Sequence, residues 1–192
     1  MVTGHFGLAA GVKAKAQFVP LWALMLATAW LDVLFIPLYA AGIEEINDAP
    51  GTDGGYGDVI IHADWTHSLV GAIVISVVTG WVVTRWWGRR GGIVIGAVVF
   101  SHWILDLIVH RDDLAIFPGN AGDIRVGFGL WEDHGWAIAA EAALILVGAF
   151  LYWRAATEVE QAADAKPRRA NLVTALIVLS GAIVLATDVL IG

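Results

Sequence analysis

The chain has 192 residues, a formal net charge of −7 and no cysteine. Hydrophobic residues make up 58% and charged residues only 15%, with a mean hydropathy of +0.73, which excludes an ordinary soluble domain and points to an all-α, polytopic membrane helix bundle. Without cysteine there is no disulfide framework and no thiolate ligand, so any metal is held by nitrogen and oxygen, and the few scattered basic residues exclude nucleic acid as a partner.

Residues 1–18 mix small, apolar and polar types, with His5 near the start. They read as a short helix at the membrane interface, as a re-entrant piece, or as a frayed amphipathic tail. No small-residue cleavage site follows an apolar run of suitable length, so the first span is expected to stay. That span covers 20–41: Pro20 suits a helix start, Asp32 lies near the middle, and Pro37 is placed to kink the helix one turn later. Residues 42–58, rich in Gly and Asp, read as a polar loop of turns without a core. The second span covers 62–86, with Trp81, Trp86 and Trp87 crowding its far end as a membrane interface favours. Arg85, Arg89 and Arg90 with Gly88, Gly91 and Gly92 then form a tight basic turn.

The third span covers 93–110 and is followed by a second polar loop, 111–134, with Pro118. The fourth, 135–154, carries Glu141, and a charged, alanine-rich stretch at 155–170 reads as solvated. The fifth, 171–191, has Asp188 near its end. Each span is long enough for one bilayer crossing, which gives about five transmembrane helices in one domain over 1–192. Lys13, Lys15, Arg85, Arg89, Arg90, Arg154, Lys166, Arg168 and Arg169 fall on one side of this arrangement, and only Arg111 and Arg125 on the other. That asymmetry places the N-terminus in the cytoplasm. The two loops on the outer side hold most of the acids, Glu44 and Asp53 among them.

Chemistry concentrates in a few side chains. His102, Asp106 and His110 recur every four residues and stack on one helix face. Two imidazoles and a carboxylate are costly in hydrocarbon unless they pair or bind something. The stripe therefore holds a metal or forms a polar clasp between helices, with His110 close enough to the boundary to be solvated. The stretch His62-Ala63-Asp64-Trp65-Thr66-His67-Ser68 opens the second span, with His67 at the depth of Asp106 and Thr66 a candidate helix cap. Asp32 and Glu141 are single acids within apolar spans, each a site carboxylate or a packing residue. His5 reaches a mid-membrane site only if residues 1–18 re-enter the bilayer.

The ordered set Gly4-His5, Asp32, His62-x-x-x-Thr66-His67-Ser68 and His102-x-x-x-Asp106, followed by Pro118, resembles the YdjM-like family of bacterial inner-membrane metal-dependent hydrolases. The resemblance covers about residues 1–155. That family shows a Gly-His start, an Asp-x-Asp element, an HRGxTHS motif and an HxxxD helix before a turn and proline. This chain departs from it at Leu31-Asp32-Val33, which keeps one acid, and at Ala63-Asp64, which replaces Arg-Gly. The first change removes a candidate ligand for a second metal; the second removes an anchor for phosphate or carboxylate. The resemblance implies a multi-pass protein of the bacterial inner membrane.

Two function classes follow. In the first, His67, His102 and Asp106, with Asp32 or Glu141, hold a divalent metal such as zinc, His62 and His5 being added by the resemblance. The remaining carboxylate then acts as general base on a lipid-like ester or phosphoester. In the second, the chain is a non-catalytic accessory subunit of a larger membrane complex, one that could carry pigment or haem, descended from such a hydrolase. Its ten tryptophans and the glycines Gly71, Gly80, Gly96 and Gly148 suit close helix contact with membrane-protein partners. A proton-coupled transporter fits the buried acids but lacks an inverted repeat.

Overall fold

A computed structural model describes residues 2–52 and 54–191; Asp53 lies outside the described residues. Helices dominate: α1 (Val2–Lys15), α2 (Leu21–Thr28), α3 (Trp30–Ala40), α4 (Leu69–Val109), α5 (His134–Ala162) and α6 (Arg168–Ile191). Three of them, α4, α5 and α6, are long and apolar enough to cross a membrane, and α2 with α3 qualify together as one span bent by 47°.

The helix α1 is a buried structural element. Its Ala9 and Ala10 are fully buried. It packs along α5 through glycines: a Cβ on Gly7 would lie 2.6 Å from the Ile145 nitrogen, so only a bare backbone allows the two helices this close. At its end the Lys13 ammonium donates to the Gln17 and Val19 carbonyls at 2.6 and 2.8 Å. These bonds satisfy groups that the turn into α2 leaves open. Pro20 stands at the N-cap of α2. The expected kink at Pro37 is not where the first span bends, since Pro37 sits inside α3. The bend falls at Ala29 (φ −100°, ψ 10°), beside the Thr28 carbonyl, which accepts from a ring nitrogen of His102.

The helix α4 folds back on itself. Trp87 and Gly88 leave helical geometry, with Gly88 at φ 63°, ψ −177°, a conformation essentially confined to glycine. The arms 69–86 and 89–109 then lie against each other. A Cβ on Gly80 would come within 2.7 Å of the Gly92 carbonyl oxygen and 3.3 Å of the Gly96 Cα. The basic turn is therefore tighter than its glycine content suggests, and helix resumes at Arg89. The second helix begins at Leu69, not at His62, because Ser68 caps it by accepting from the Gly71 N–H at 3.2 Å. Thr66, the expected cap, is used elsewhere. The helix α5 begins at an Asp133 cap and runs to Ala162, so the stretch expected to be solvated is partly helical and largely exposed.

The loops between helices also carry strands. In 42–58 and the segment after it, β1 (Glu45–Asp48) pairs with β2 (Val59–His62), antiparallel, with Glu45 opposite His62. In 111–134, β3 (Leu114–Ala115) pairs with β4 (Arg125–Val126). Arg125 holds Asp64 with two nitrogens at 3.0 and 3.1 Å, and Arg111 holds Asp58 at 3.2 Å. These pairs stitch the two loops over one end of the bundle. The main apolar cluster gathers Leu24, Leu31, Ile95, Val99 and Trp103 from α2, α3 and α4. A second joins α1, α5 and α6 through Ala10, Ile145 and Ile177. The outer face of α6 leaves Leu172, Leu176, Leu179 and Ile183 exposed.

Candidate metal centre

Four separate pieces of chain bring polar side chains to one place inside this apolar frame. His5 comes from the first turns of α1, Asp32 from the start of α3, His67 from the turn before α4, and His102 and Asp106 from the second arm of α4. His5, His67, His102 and Asp106 are all buried. The Asp32 side chain stays 44% exposed, so the cluster opens on that side.

The His102 Nε2 lies 2.9 Å from Asp106 Oδ2, 3.4 Å from Asp32 Oδ1 and 3.2 Å from His67 Nε2. The His67 Nε2 is 3.4 Å from Asp32 Oδ1 and 3.8 Å from Asp106 Oδ2. Three of these atoms, His67 Nε2, His102 Nε2 and Asp106 Oδ2, therefore form a triangle with edges of 2.9 to 3.8 Å, and Asp32 Oδ1 lies 3.4 Å from both ring nitrogens. A tetrahedral ion with nitrogen and oxygen ligands at roughly 2.0–2.1 Å has ligand–ligand edges of about 3.3 Å. The His67, His102 and Asp106 donors are thus spaced as three ligands to one ion would be.

Hydrogen bonds on the far side of the rings reinforce this. The His102 Nδ1 lies 2.6 Å from the Thr28 carbonyl. A carbonyl only accepts, so Nδ1 carries a proton; with an ion bound Nε2 would present its lone pair to the centre, and without one Nε2 carries a proton toward Asp106 Oδ2. A metal-bound histidine characteristically makes this kind of outer contact. The Trp103 indole donates to the His67 carbonyl at 2.9 Å and fixes the turn that carries His67. His5 stands behind Asp106, its Nε2 3.4 Å from Oδ1, with its ring centroid 3.9 Å from that of His102. Two overlapping groups could therefore hold a metal ion: His5, His102 and Asp106, and Asp32, His67 and His102.

The other expected site residues lie elsewhere. Among the described residues, His62 and Glu141 belong to neither group. His62 ends β2 opposite Glu45. Glu141, fully buried, accepts from the Gly4 N–H at 3.3 Å and the Tyr56 hydroxyl at 2.8 Å. It thus anchors the first turn of α1, where a carboxylate also complements the helix dipole. Burial and the Glu141 carboxylate push the Tyr56 phenol well above its ordinary range. His110 does not extend the His102–Asp106 pair into a three-residue stripe. Its Nδ1 lies 2.9 Å from Asp113 Oδ1, its ring rests on Trp131, and Asp113 also accepts from the Ile61 N–H.

Two contributors were not legible as site residues. The Thr28 carbonyl carries no side-chain signal, since its role depends on the bend at Ala29. Glu44 read as one more acid of a polar loop, yet it is fully buried against the turn holding His67. Comparison of the chain with protein-family models, curated proteins and solved structures finds no match.

Proposed function

We propose that this chain is a membrane-embedded, metal-dependent hydrolase that cleaves a lipid-like ester or phosphoester. The observation that carries the reading is the convergence of His67, His102 and Asp106 at the edge lengths of three ligands to one ion, with Asp32 Oδ1 beside them, 3.4 Å from both ring nitrogens. A dication fits the charge as well: two neutral imidazoles and two carboxylates leave a net charge that one divalent ion cancels. Zinc suits this nitrogen and oxygen set.

His67, His102 and Asp106 would hold the ion, and a divalent ion bound there supplies Lewis acidity for activating water and polarising the scissile group. Asp32, the exposed member, is the side chain that can meet a substrate. In this reading it takes the proton from the attacking water as general base and delivers it to the leaving oxygen. His5 holds Asp106 from behind. Glu141 serves as the anchor of α1. An apolar groove of about 960 Å³, lined by Trp22, Leu26, Trp30, Val78, Trp86 and Trp87, gives an acyl chain room between α2–α3 and α4.

In the same reading the bent pair α2–α3, the two arms of α4, α5 and α6 make five crossings, with the basic turn at Gly88 on the cytoplasmic side of a bacterial inner membrane. The helix α1 spans only about 21 Å, less than a ~30 Å hydrocarbon core, and enters the bundle as a half-crossing. The likeness to the YdjM-like family supports this assignment through the residues it groups: His5, Asp32, His67, His102 and Asp106.

The test is metal analysis of the purified protein. About one divalent ion per chain is expected, lost in His102→Ala without loss of the fold. One observation favours a second reading, a non-catalytic subunit of a membrane complex: His102 and Asp106 lie 2.9 Å apart and can satisfy each other without an ion. A metal-free protein that purifies with fixed partners would establish that alternative.

A further inference from the structure

Glu44 is a buried carboxylate that the proposed chemistry does not use. The chain turns at the end of α3, where the Ile43 and Glu44 N–H groups both donate to the Leu38 carbonyl, and this swings the Glu44 side chain under the turn before α4. Its Oε1 accepts from the backbone N–H groups of Trp65 and Thr66 at 2.9 and 2.8 Å. The Thr66 hydroxyl lies 3.1 and 3.0 Å from its two oxygens. That same hydroxyl oxygen is 2.8 Å from His67 Nδ1.

The number of protons sets the direction of this chain. An ionised carboxylate only accepts. The Thr66 hydroxyl has one proton, and against Glu44 it must donate it. Its oxygen can then only accept from His67, so the imidazole proton sits on Nδ1. A neutral ring protonated there presents the Nε2 lone pair, and Nε2 is the atom 3.2 Å from His102 Nε2 and 3.4 Å from Asp32 Oδ1. Without Glu44 the hydroxyl is free to turn and donate to Nδ1. The ring proton would then move to Nε2 and block the atom that faces the centre.

We propose that Glu44 is a positioning residue: through the Thr66 hydroxyl it holds His67 in the Nδ1–H tautomer and keeps the Nε2 lone pair aimed into the cluster. The effect of this on metal affinity rests on the hydrolase reading; the tautomer itself does not. Removing such an outer partner typically costs about 10–100-fold in metal affinity.

The experiment uses the full chain in detergent, labelled with ¹⁵N-histidine, with His67→Gln identifying the His67 resonances. Metal-free wild-type protein is expected to show a protonated Nδ1 and an unprotonated Nε2 at His67. Thr66→Val, close in shape, is expected to lose this preference and to weaken zinc binding about 10–100-fold. Thr66→Ser is expected to restore both, and Glu44→Gln to resemble Thr66→Val. A purely structural role for Thr66 would lower the melting temperature and leave the tautomer unchanged. A proton on Nε2 in the wild type, or a Thr66→Val protein with wild-type tautomer and zinc affinity, overturns the proposal. If wild-type protein binds no zinc but shows the Nδ1–H form that Thr66→Val loses, the positioning role stands and the hydrolase reading falls.

Discussion

The most demanding test of the centre is Asp106→Asn. The carboxylate of Asp106 faces three imidazoles, with distances of 2.9 Å to His102, 3.4 Å to His5 and 3.8 Å to His67, and its side chain is only 5% exposed. The substitution keeps the shape and removes the charge. With a dication present, the two carboxylates balance it; with Asn at this position, one positive charge is left over in a buried site. Breaking one partner of a buried charge pair costs about 3–5 kcal/mol. Since ~1.4 kcal/mol is tenfold, zinc affinity should fall by two to three powers of ten or more. Competition against a chromophoric chelator, on detergent-solubilised protein, measures this directly. A melting curve gives an independent measure: zinc at about 100 times its Kd should stabilise the wild type by ~2.7 kcal/mol and the variant by far less. Asp113→Asn is the control, because it removes the partner of His110 and leaves the cluster untouched. Zinc affinity in Asp106→Asn within threefold of wild type, or an equal loss in Asp113→Asn, would refute the placement of the ion.

Asp32→Asn should retain bound zinc more fully than Asp106→Asn and lose turnover of a chromogenic acyl or phosphoryl ester, whereas His62→Ala should change neither; parallel metal and rate assays on one preparation separate the two. Gly88→Ala forces a side chain onto φ 63°, ψ −177° and should cost about 1–3 kcal/mol, read as a lower melting temperature. Tyr56→Phe leaves the Glu141 carboxylate short of one donor and should cost about 1–3 kcal/mol with metal content unchanged. The raised Tyr56 phenol adds a pH signature. In the unfolded chain the phenol releases its proton near pH ~10 while in the folded one it keeps it, so stability falls as pH rises past that point. Tyr56→Phe should lack this component of the alkaline loss, as a series of melting curves between neutral and strongly alkaline pH would reveal.

What the sequence could reveal depended on how local each signal is. The pair His102 and Asp106 was legible because helix geometry alone places them on one face. Extending the same logic to His110 failed. That residue is the C-cap of α4, and a terminal side chain takes its partner from the loop that follows, here Asp113. The long apolar helices were legible from composition. The short β1–β2 and β3–β4 ladders were not, because Gly- and Asp-rich segments hide strands whose pairing is set by distant residues. Asp64 looked like the loss of an arginine. In the folded chain it clamps Arg125 from the other loop, a pairing across 61 positions that no local pattern encodes.

His5 shows most clearly where one-dimensional reasoning stops. The distribution of lysine and arginine puts Lys13 and Lys15 on the basic side of the bundle, and a chain imagined as entering the membrane only after them leaves His5 stranded on that side. Yet the rule constrains only where the lysines sit. It says nothing about which way the preceding helix runs. The helix α1 rises away from Lys15 into the bundle, and ten residues of helix carry His5 about 15 Å inward. On the second arm of α4, His102 stands about 21 Å from the turn at Gly88, a comparable depth. The two meet because α1 can lie against α5 without side chains between them, at Gly7 and Gly148, and because Glu141 accepts from the Gly4 N–H in the first turn of the buried helix. Glycines and an acid that read separately as packing residues and a candidate base thus act together: they let a helix too short to cross a bilayer deliver its histidine to Asp106.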